Sequence, residues 1–383
     1  MSLDLASRFS RFDKVVIGAV ILMILSIVFV LLVDLDGQSG YRVAFMRTGG
    51  ANVANIWLID PETGEEEQIS FAPIGVRSFD VSADGQYIAY SARDFETNTV
   101  DIYRLDIDSG DLIRLTNCIE ESSICDFPTW RADGMTIAYE RSGMDGRDTR
   151  IWLLDVTQSP ALSLPLLSDP TIGGNNAVWS DDGRYIGFYA DLDDGQGILT
   201  YRLPDNPAFD GELSFIPSGQ GLVGEFSPDG SARVFPEVEI NGPLVRSFLQ
   251  IVFLNQAILQ FQILTPSEAD AFDRADDWHP EANTLAITRR YLSGDNVTSG
   301  FQVYLIDMNT YEISPLIFDP DYDHARTHWR PDGGMLLVQR VPVRRSIGGQ
   351  SPERSELWLY DMDDDTLTRL TERAYLPQWV NGG

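Results

Sequence analysis

The stretch "PTWRADGMTIAYE", residues 128–140, places Trp130 three residues before the Asp of an Asp-Gly pair and follows the pair with a short apolar run. The same phrase returns as "AVWSDDGRYIGFY" at 177–189 and as "THWRPDGGMLLVQ" at 327–339. Taking the residue at the Trp130 position as a marker gives Val81, Trp130, Trp179, Phe226, Trp278, Trp329 and, near the end, Trp379. Their successive separations are 49, 49, 47, 52, 51 and 50 residues. A period this regular is the signature of a repeat architecture.

Each period has a second half. After the turn come an apolar run such as "YIAYSA" and a polar loop. A strand-like segment follows, "DIYRLD" from Asp101, "RIWLLD" from Arg150, "QVYLID" from Gln302 or "ELWLYD" from Glu356, and then a second turn and a short strand such as "LTRLT". The runs are short, rich in β-branched and aromatic residues, and bounded by Gly, Asp and Pro, so each unit reads as a four-stranded meander. Asp-Gly supplies the positive φ that a tight hairpin requires. A single such sheet cannot bury both faces, whereas radial packing of several does, which predicts an all-β chain folded as a β-propeller.

The termini bear on the count. Before the first full unit lies "YRVAFMRTGGANVANIWLIDPETGEEEQIS", which has the later strands and no leading aromatic strand. After the last lies "AYLPQWV", a leading strand alone. Together they make one unit split between the chain ends, predicting seven four-stranded blades with split-blade closure; six is the alternative count. The turn phrases resemble the TolB-type, WD40-like propeller repeat, roughly Trp-Ser-Pro-Asp-Gly followed by an apolar strand. "FSPDG" from Phe226 and "WRPDG" from Trp329 match it most closely, and "WHPEA" from Trp278 lacks the Asp-Gly, which predicts an altered turn there. The resemblance spans nearly everything after Tyr41 and implies the fold; such a fold hosts many functions.

Outside the repeat, residues 15–33, "VVIGAVILMILSIVFVLLV", are continuously apolar and uncharged. At about 1.5 Å per residue this run nearly crosses a bilayer core of roughly 30 Å. Arg8, Arg11 and Lys14 precede it and Asp34 and Asp36 follow. By the positive-inside rule, residues 1–14 stay in the cytoplasm, 15–33 form a single-pass transmembrane signal anchor, 34–40 form a linker, and the propeller, 41–383, lies on the extracytoplasmic side. No small-x-small cleavage site follows, so the anchor is expected to remain uncleaved. In an exported domain disulfides persist, and Cys118 and Cys125, the two cysteines of the chain, are expected to pair.

The chain carries 58 acidic against 28 basic residues, a formal charge of -30. Nucleic acid is thereby excluded as a partner, because phosphate binding needs a basic footprint. Propeller hydrolases of the prolyl-oligopeptidase kind add a domain bearing a Gly-x-Ser-x-Gly elbow, and the sequence has no such motif. Among so many carboxylates, paired acids carry no signal for glycosidase chemistry. The expectation is therefore a non-enzyme without a cofactor.

Two other features stand out. Asp319, Asp321 and Asp323 alternate as in the opening of a calcium loop, but His324 stands where its Gly belongs and Arg330 where its Glu belongs. An irregular calcium site and a solvated acidic loop both remain as readings. The long, dissimilar connections between second and third strands are where binding would reside. One of them gathers Arg340, Arg344, Arg345 and Arg354 and suits an acidic partner. Residues 247–266, "SFLQIVFLNQAILQFQILTP", are more apolar than their counterparts, and Phe261 and Ile263 there predict an exposed apolar edge. The functional expectation is a protein-binding or scaffolding subunit of an envelope or membrane-protein complex. The alternatives are a cell-surface glycan or small-ligand receptor and, third, a propeller enzyme.

Overall fold

The computed structural model describes residues 40–382, apart from 193–194, 205–210, 220–221, 242–243, 256–258, 267–269 and 344–353. Residues 15–33, read above as the membrane anchor, lie outside the described residues. Among the described residues no helix is long and apolar enough to cross a membrane.

The strands follow the repeat. Arg42–Thr48 (β1), Ala54–Ile59 (β2) and Glu66–Gln68 (β3) form one sheet with the last strand, Tyr375–Val380 (β28), in the order β28-β1-β2-β3. Val76–Val81 (β4), Tyr87–Arg93 (β5), Val100–Asp106 (β6) and Leu112–Arg114 (β7) form the next. Ser123–Trp130 (β8), Thr136–Gly143 (β9), Arg150–Asp155 (β10) and Leu162–Pro165 (β11) follow, and then Asn175–Trp179 (β12), Tyr185–Leu192 (β13), Gly195–Arg202 (β14) and Glu212–Pro217 (β15). Tyr322–Trp329 (β24), Met335–Pro342 (β25), Glu356–Asp361 (β26) and Thr366–Glu372 (β27) make the last four-stranded meander.

Between these, two meanders merge into an eight-stranded sheet. The first comprises Glu225–Phe226 (β16), Ala232–Asn241 (β17), Leu244–Phe253 (β18) and Gln260–Ile263 (β19). The second comprises Ala271–Trp278 (β20), Thr284–Tyr291 (β21), Gln302–Asp307 (β22) and Glu312–Ile317 (β23). The cause is local. β17 and β18 are ten residues each, and β16 and β19 pair with only part of them. The overhanging hairpin leans on the neighbouring meander through a parallel bridge, Ser247 to Phe272. Ser247 Oγ donates to the Asp273 carbonyl at 2.8 Å, and Arg246 pairs with Asp270 at 2.7 Å.

An apolar cluster fills each junction between successive meanders, and the sequence of clusters comes back to its start. Ile56 and Ala44 pack with Phe79 and Ile88, Ile102 with Trp130 and Ile137, Ile151 with Ile186 and Phe188, and Ile198 with Phe235 and Val252. Leu249 and Ile251 pack with Leu285 and Ile287, Val303 with Leu336 and Val338, and Leu337 and Leu357 with Val43 and Phe45. The last cluster closes a ring, and β28 lies inside the first sheet beside β1, with Val43 opposite Trp379 and Ala44 opposite Gln378.

The turn chemistry is as the sequence implies. Gly85, Gly134, Gly183, Gly230 and Gly333 all have positive φ, 65–74°. The Asp before each Gly caps the turn: Asp84 Oδ1 accepts from the Gln86 N–H at 3.0 Å, and Asp229 Oδ1 from the Ser231 N–H at 3.0 Å. In "WHPEA" the work passes to His279, whose Nδ1 accepts the N–H groups of Glu281 and Ala282 at 3.1 and 2.8 Å.

Strand direction gives the ring two unlike ends. The turns between first and second strands and between third and fourth strands lie at one end, with their Asp caps. The connections between second and third strands, and the links between meanders, lie at the other.

Candidate functional site

The first strand of each meander lines the inside of the ring, and most are interrupted by a bulge before the aromatic marker, at Asp126/Thr129 in β8, Ala275/Asp277 in β20 and His324/Arg326 in β24. A bulge re-aims side chains, and at Asp80, Asp277 and Gln378 the residue before the marker reaches the next meander. The Trp130 N–H donates to Asp80 Oδ2 at 2.6 Å, and the Trp329 N–H to Asp277 Oδ2 at 2.7 Å. The Val81 N–H donates to Gln378 Oε1 at 2.9 Å. The Trp179 and Trp379 indoles add bonds to the carbonyls of Thr129 and His328 at 3.3 and 3.1 Å. A polar belt thus stitches neighbouring meanders together around the inner ring.

The belt is electrostatically loaded. Asp80, Glu225, Asp276 and Asp277 are half-buried, so water reaches them although protein surrounds them. Burial raises Asp80 to about 6, Asp276 to about 7 and Glu225 to about 8, the last against the pull of the buried Arg233. Asp277 is raised well above its ordinary range by burial and by the charges of Glu225 and Asp181. Burial lowers His328 to about 3 and His324 to about 4.

These shifts set a pH dependence. The folded ring holds carboxyl protons that the unfolded chain, titrating near 4, has released, so stability rises as pH falls from about 8 toward 5. Each extra proton held is worth about 1.4 kcal/mol per pH unit. The two histidines act oppositely and only below about 6.5, where the unfolded chain takes up protons that the folded one refuses. The melting temperature is therefore expected to climb between pH 8.5 and 6.5, and Glu225→Gln to flatten the climb. A melting temperature that is constant or falling on acidification over that range refutes the assignment.

The residues singled out in the sequence fare differently. Cys118 and Cys125 are joined, with Cα atoms 6.2 Å apart, and are buried against Trp130 and Tyr139. Phe261 and Ile263 lie on β19, the outermost strand of its meander, and are 48% and 54% exposed. Arg340 is a correction. It is 1% exposed, paired with Asp319 and sandwiched between the Tyr322 and Trp358 rings, 3.8 and 4.6 Å from its guanidinium carbon. It is internal architecture and offers nothing to a partner. Arg354 is half-buried and donates to the Pro342 carbonyl, while Arg344 and Arg345 lie outside the described residues.

Two of the three alternating carboxylates are likewise spoken for. Asp319 holds Arg340, Asp323 is buried and accepts the Phe301 N–H at 2.8 Å, and Asp321 is exposed. Among the described residues no group of three His, Cys, Asp or Glu is arranged to hold a metal ion.

Two features went unread in the sequence. One is the polar belt, whose signal was the run of Asp80, Glu225, Asp277, His328 and Gln378 immediately before five of the markers. The other is the apolar character of the loop end, where Ile119, Met144, Val297 and Phe318 are 39–51% exposed and the cross-strand neighbours Ile240 and Val245 reach 73% and 45%.

No protein-family model matches the chain, and no curated protein matches it. Solved structures do. The β-propeller domain of the Trilobed protease from Pyrococcus furiosus superposes with a TM-score of 0.57 at 14% identity, over 88% of this chain and 96% of that one. The fold is a β-propeller. TolB from Acinetobacter baumannii matches this propeller at a TM-score of 0.51 and 17% identity, over 90% of this chain and 67% of its own. A prolyl endopeptidase matches at 0.61 and 13%, and the propeller chain spans 50% of that enzyme's length. At these identities the likeness is one of fold. The Pyrococcus domain is described as an open velcro; here β28 fastens the ring beside β1.

Proposed function

We propose that this chain is a non-catalytic, protein-binding propeller of seven blades, held at a membrane by residues 15–33 with the propeller on the extracytoplasmic side. The observation that carries the reading is the loop end. Apolar side chains stand exposed there on connections from several blades, borne on rigid sheets, while the opposite end is capped by Asp turns. Exposed apolar surface on a rigid scaffold is the usual mark of a protein-binding face. The seven-blade count rests on the meanders and on the apolar cluster at each junction. Membrane attachment rests on the uncharged run and its flanking charges.

The test is a pulldown of the full chain from membranes in mild detergent, comparing wild type with Ile240→Ser/Val245→Asn. Burying one such side chain contributes about 1.5–3 kcal/mol, and 1.4 kcal/mol is tenfold in Kd. Recovery of partner proteins is expected to fall at least tenfold with the melting temperature unchanged. The parallel variant Phe261→Ser/Ile263→Asn asks whether the outer strand of the same blade shares the contact. Undiminished recovery with both variants overturns the loop-end assignment.

A further inference from the structure

A groove of about 700 Å³ opens on the flank of the ring between the blade of β1–β3 and the blade of β4–β7. Its origin is sequence-local. β3 and β7, the outermost strands of these two blades, are three residues each, too short to cover the middle strands beside them. The floor is the cross-strand pair Tyr90 and Tyr103, stacked with ring centroids 5.4 Å apart. Tyr90 is 3% exposed, yet neither phenol has a hydrogen-bond partner among the described residues, and both rings line the groove. Phe71 and Phe95 stand on its rim, each 75% exposed.

The charge lining the groove is mostly negative, and Arg114, beside Tyr103, is committed to Asp101 at 2.6 Å. Glu67, Asp94, Glu96, Asp106 and Asp108 line the groove. Its two cations are already engaged, Arg42 with Asp108 at 3.4 Å and Arg93 with Asn98 Oδ1 at 2.9 Å. Three accessible rings, Phe71, Phe95 and Tyr103, with Tyr90 stacked behind Tyr103 and a surplus of carboxylate, form a receptor for a positive charge, because ring faces and carboxylates attract cations together. The volume falls in the ordinary range of ligand pockets, about 300–1,000 Å³, which exceeds one side chain and suits a short stretch of extended chain.

We propose that this groove binds an extended, arginine- or lysine-bearing polypeptide segment, with the cationic side chain over the aromatic rings and its charge met by the flanking carboxylates. The groove reaches the loop end at Phe71 and Phe95, but it belongs to other blades than Ile240 and Val245 and is tested with a defined peptide, so the two readings fail separately. A neutral sugar would also stack on such rings, but it would gain nothing from the acidic surplus.

The test is calorimetric titration of the full chain in detergent with the capped peptide Gly-Arg-Gly-Arg-Gly and its Gln counterpart at physiological salt. The Arg peptide is expected to bind and the Gln peptide to show no binding. Phe71→Ala/Phe95→Ala, at two exposed positions that cost the fold little, is expected to weaken binding about tenfold, the scale of two lost cation–π contacts. Glu67→Gln/Glu96→Gln is expected to weaken it as well. If the Phe variant binds the Arg peptide as wild type does, the attraction is the diffuse pull of an acidic surface, and the proposal fails. It fails equally if the Gln peptide binds as tightly or if a neutral oligosaccharide displaces the Arg peptide.

Discussion

Deleting residues 376–383 is expected to abolish the cooperative melting transition of the propeller. Those residues carry most of β28. Without them, β1 becomes an unpaired edge. Val380, fully buried between the first two blades, and Trp379, packed against the last junction, are both lost. The polar belt opens as well: Gln378 no longer accepts the Val81 N–H, and Asn381 Nδ2 no longer reaches the Ala83 carbonyl at 2.7 Å. Trp379 is half-buried, so its loss costs less than the roughly 3–5 kcal/mol of a fully buried Trp, but the buried Val380, the β1 ladder and the belt contacts go with it, against a typical total of about 5–15 kcal/mol. The measurement is calorimetry with near-ultraviolet circular dichroism. A truncated chain that melts cooperatively within a few degrees of wild type would show that the ring does not depend on its clasp.

The second large effect is expected at Asp273. Its carboxylate takes both arms of Arg289, Nε to Oδ1 at 2.7 Å and Nη2 to Oδ2 at 2.8 Å, and the two side chains are 1% and 5% exposed. Removing one member of such a pair leaves an uncompensated buried charge, at a cost of about 3–5 kcal/mol. Asp273→Ala is therefore expected to lower the melting temperature by roughly 5–10 °C. Asp273→Ala/Arg289→Met should recover most of the loss, because no charge is then stranded. A single variant as stable as wild type, or a double variant no better than the single, contradicts this account.

The recurring aromatic and Asp-Gly phrase made the meanders legible because the turn demands a positive φ and the inner strand demands a large apolar side chain. The split first blade was legible because each chain end held what the other lacked. The site was far less so. Arg340 read as a loop residue because a run of arginine, proline and glycine follows it. β25 continues to Pro342, which makes Arg340 a strand residue facing Tyr322 and Trp358. Asp323 read as part of an acidic loop, yet β24 begins at Tyr322 and takes the carboxylate inside. In both cases strand length, set by tertiary pairing, decided which way a charged side chain pointed. The flank groove has no sequence signature, since it arises from strands that stop early.

The clasp also fixes how the ring bears mechanical load. Arg42 and Val380 face each other at the open end of the β1–β28 ladder. Drawing the two chain ends apart peels that ladder one pair at a time, the weak direction. A pull on the amino-terminal side of β1, resisted by whatever grips the loop end, acts along the strand. It sets the ladders to β28 and to β2 in shear, so their hydrogen bonds share the force and must fail together. A chain tethered through its beginning and gripped at the far end of its ring is thus loaded in its strong direction.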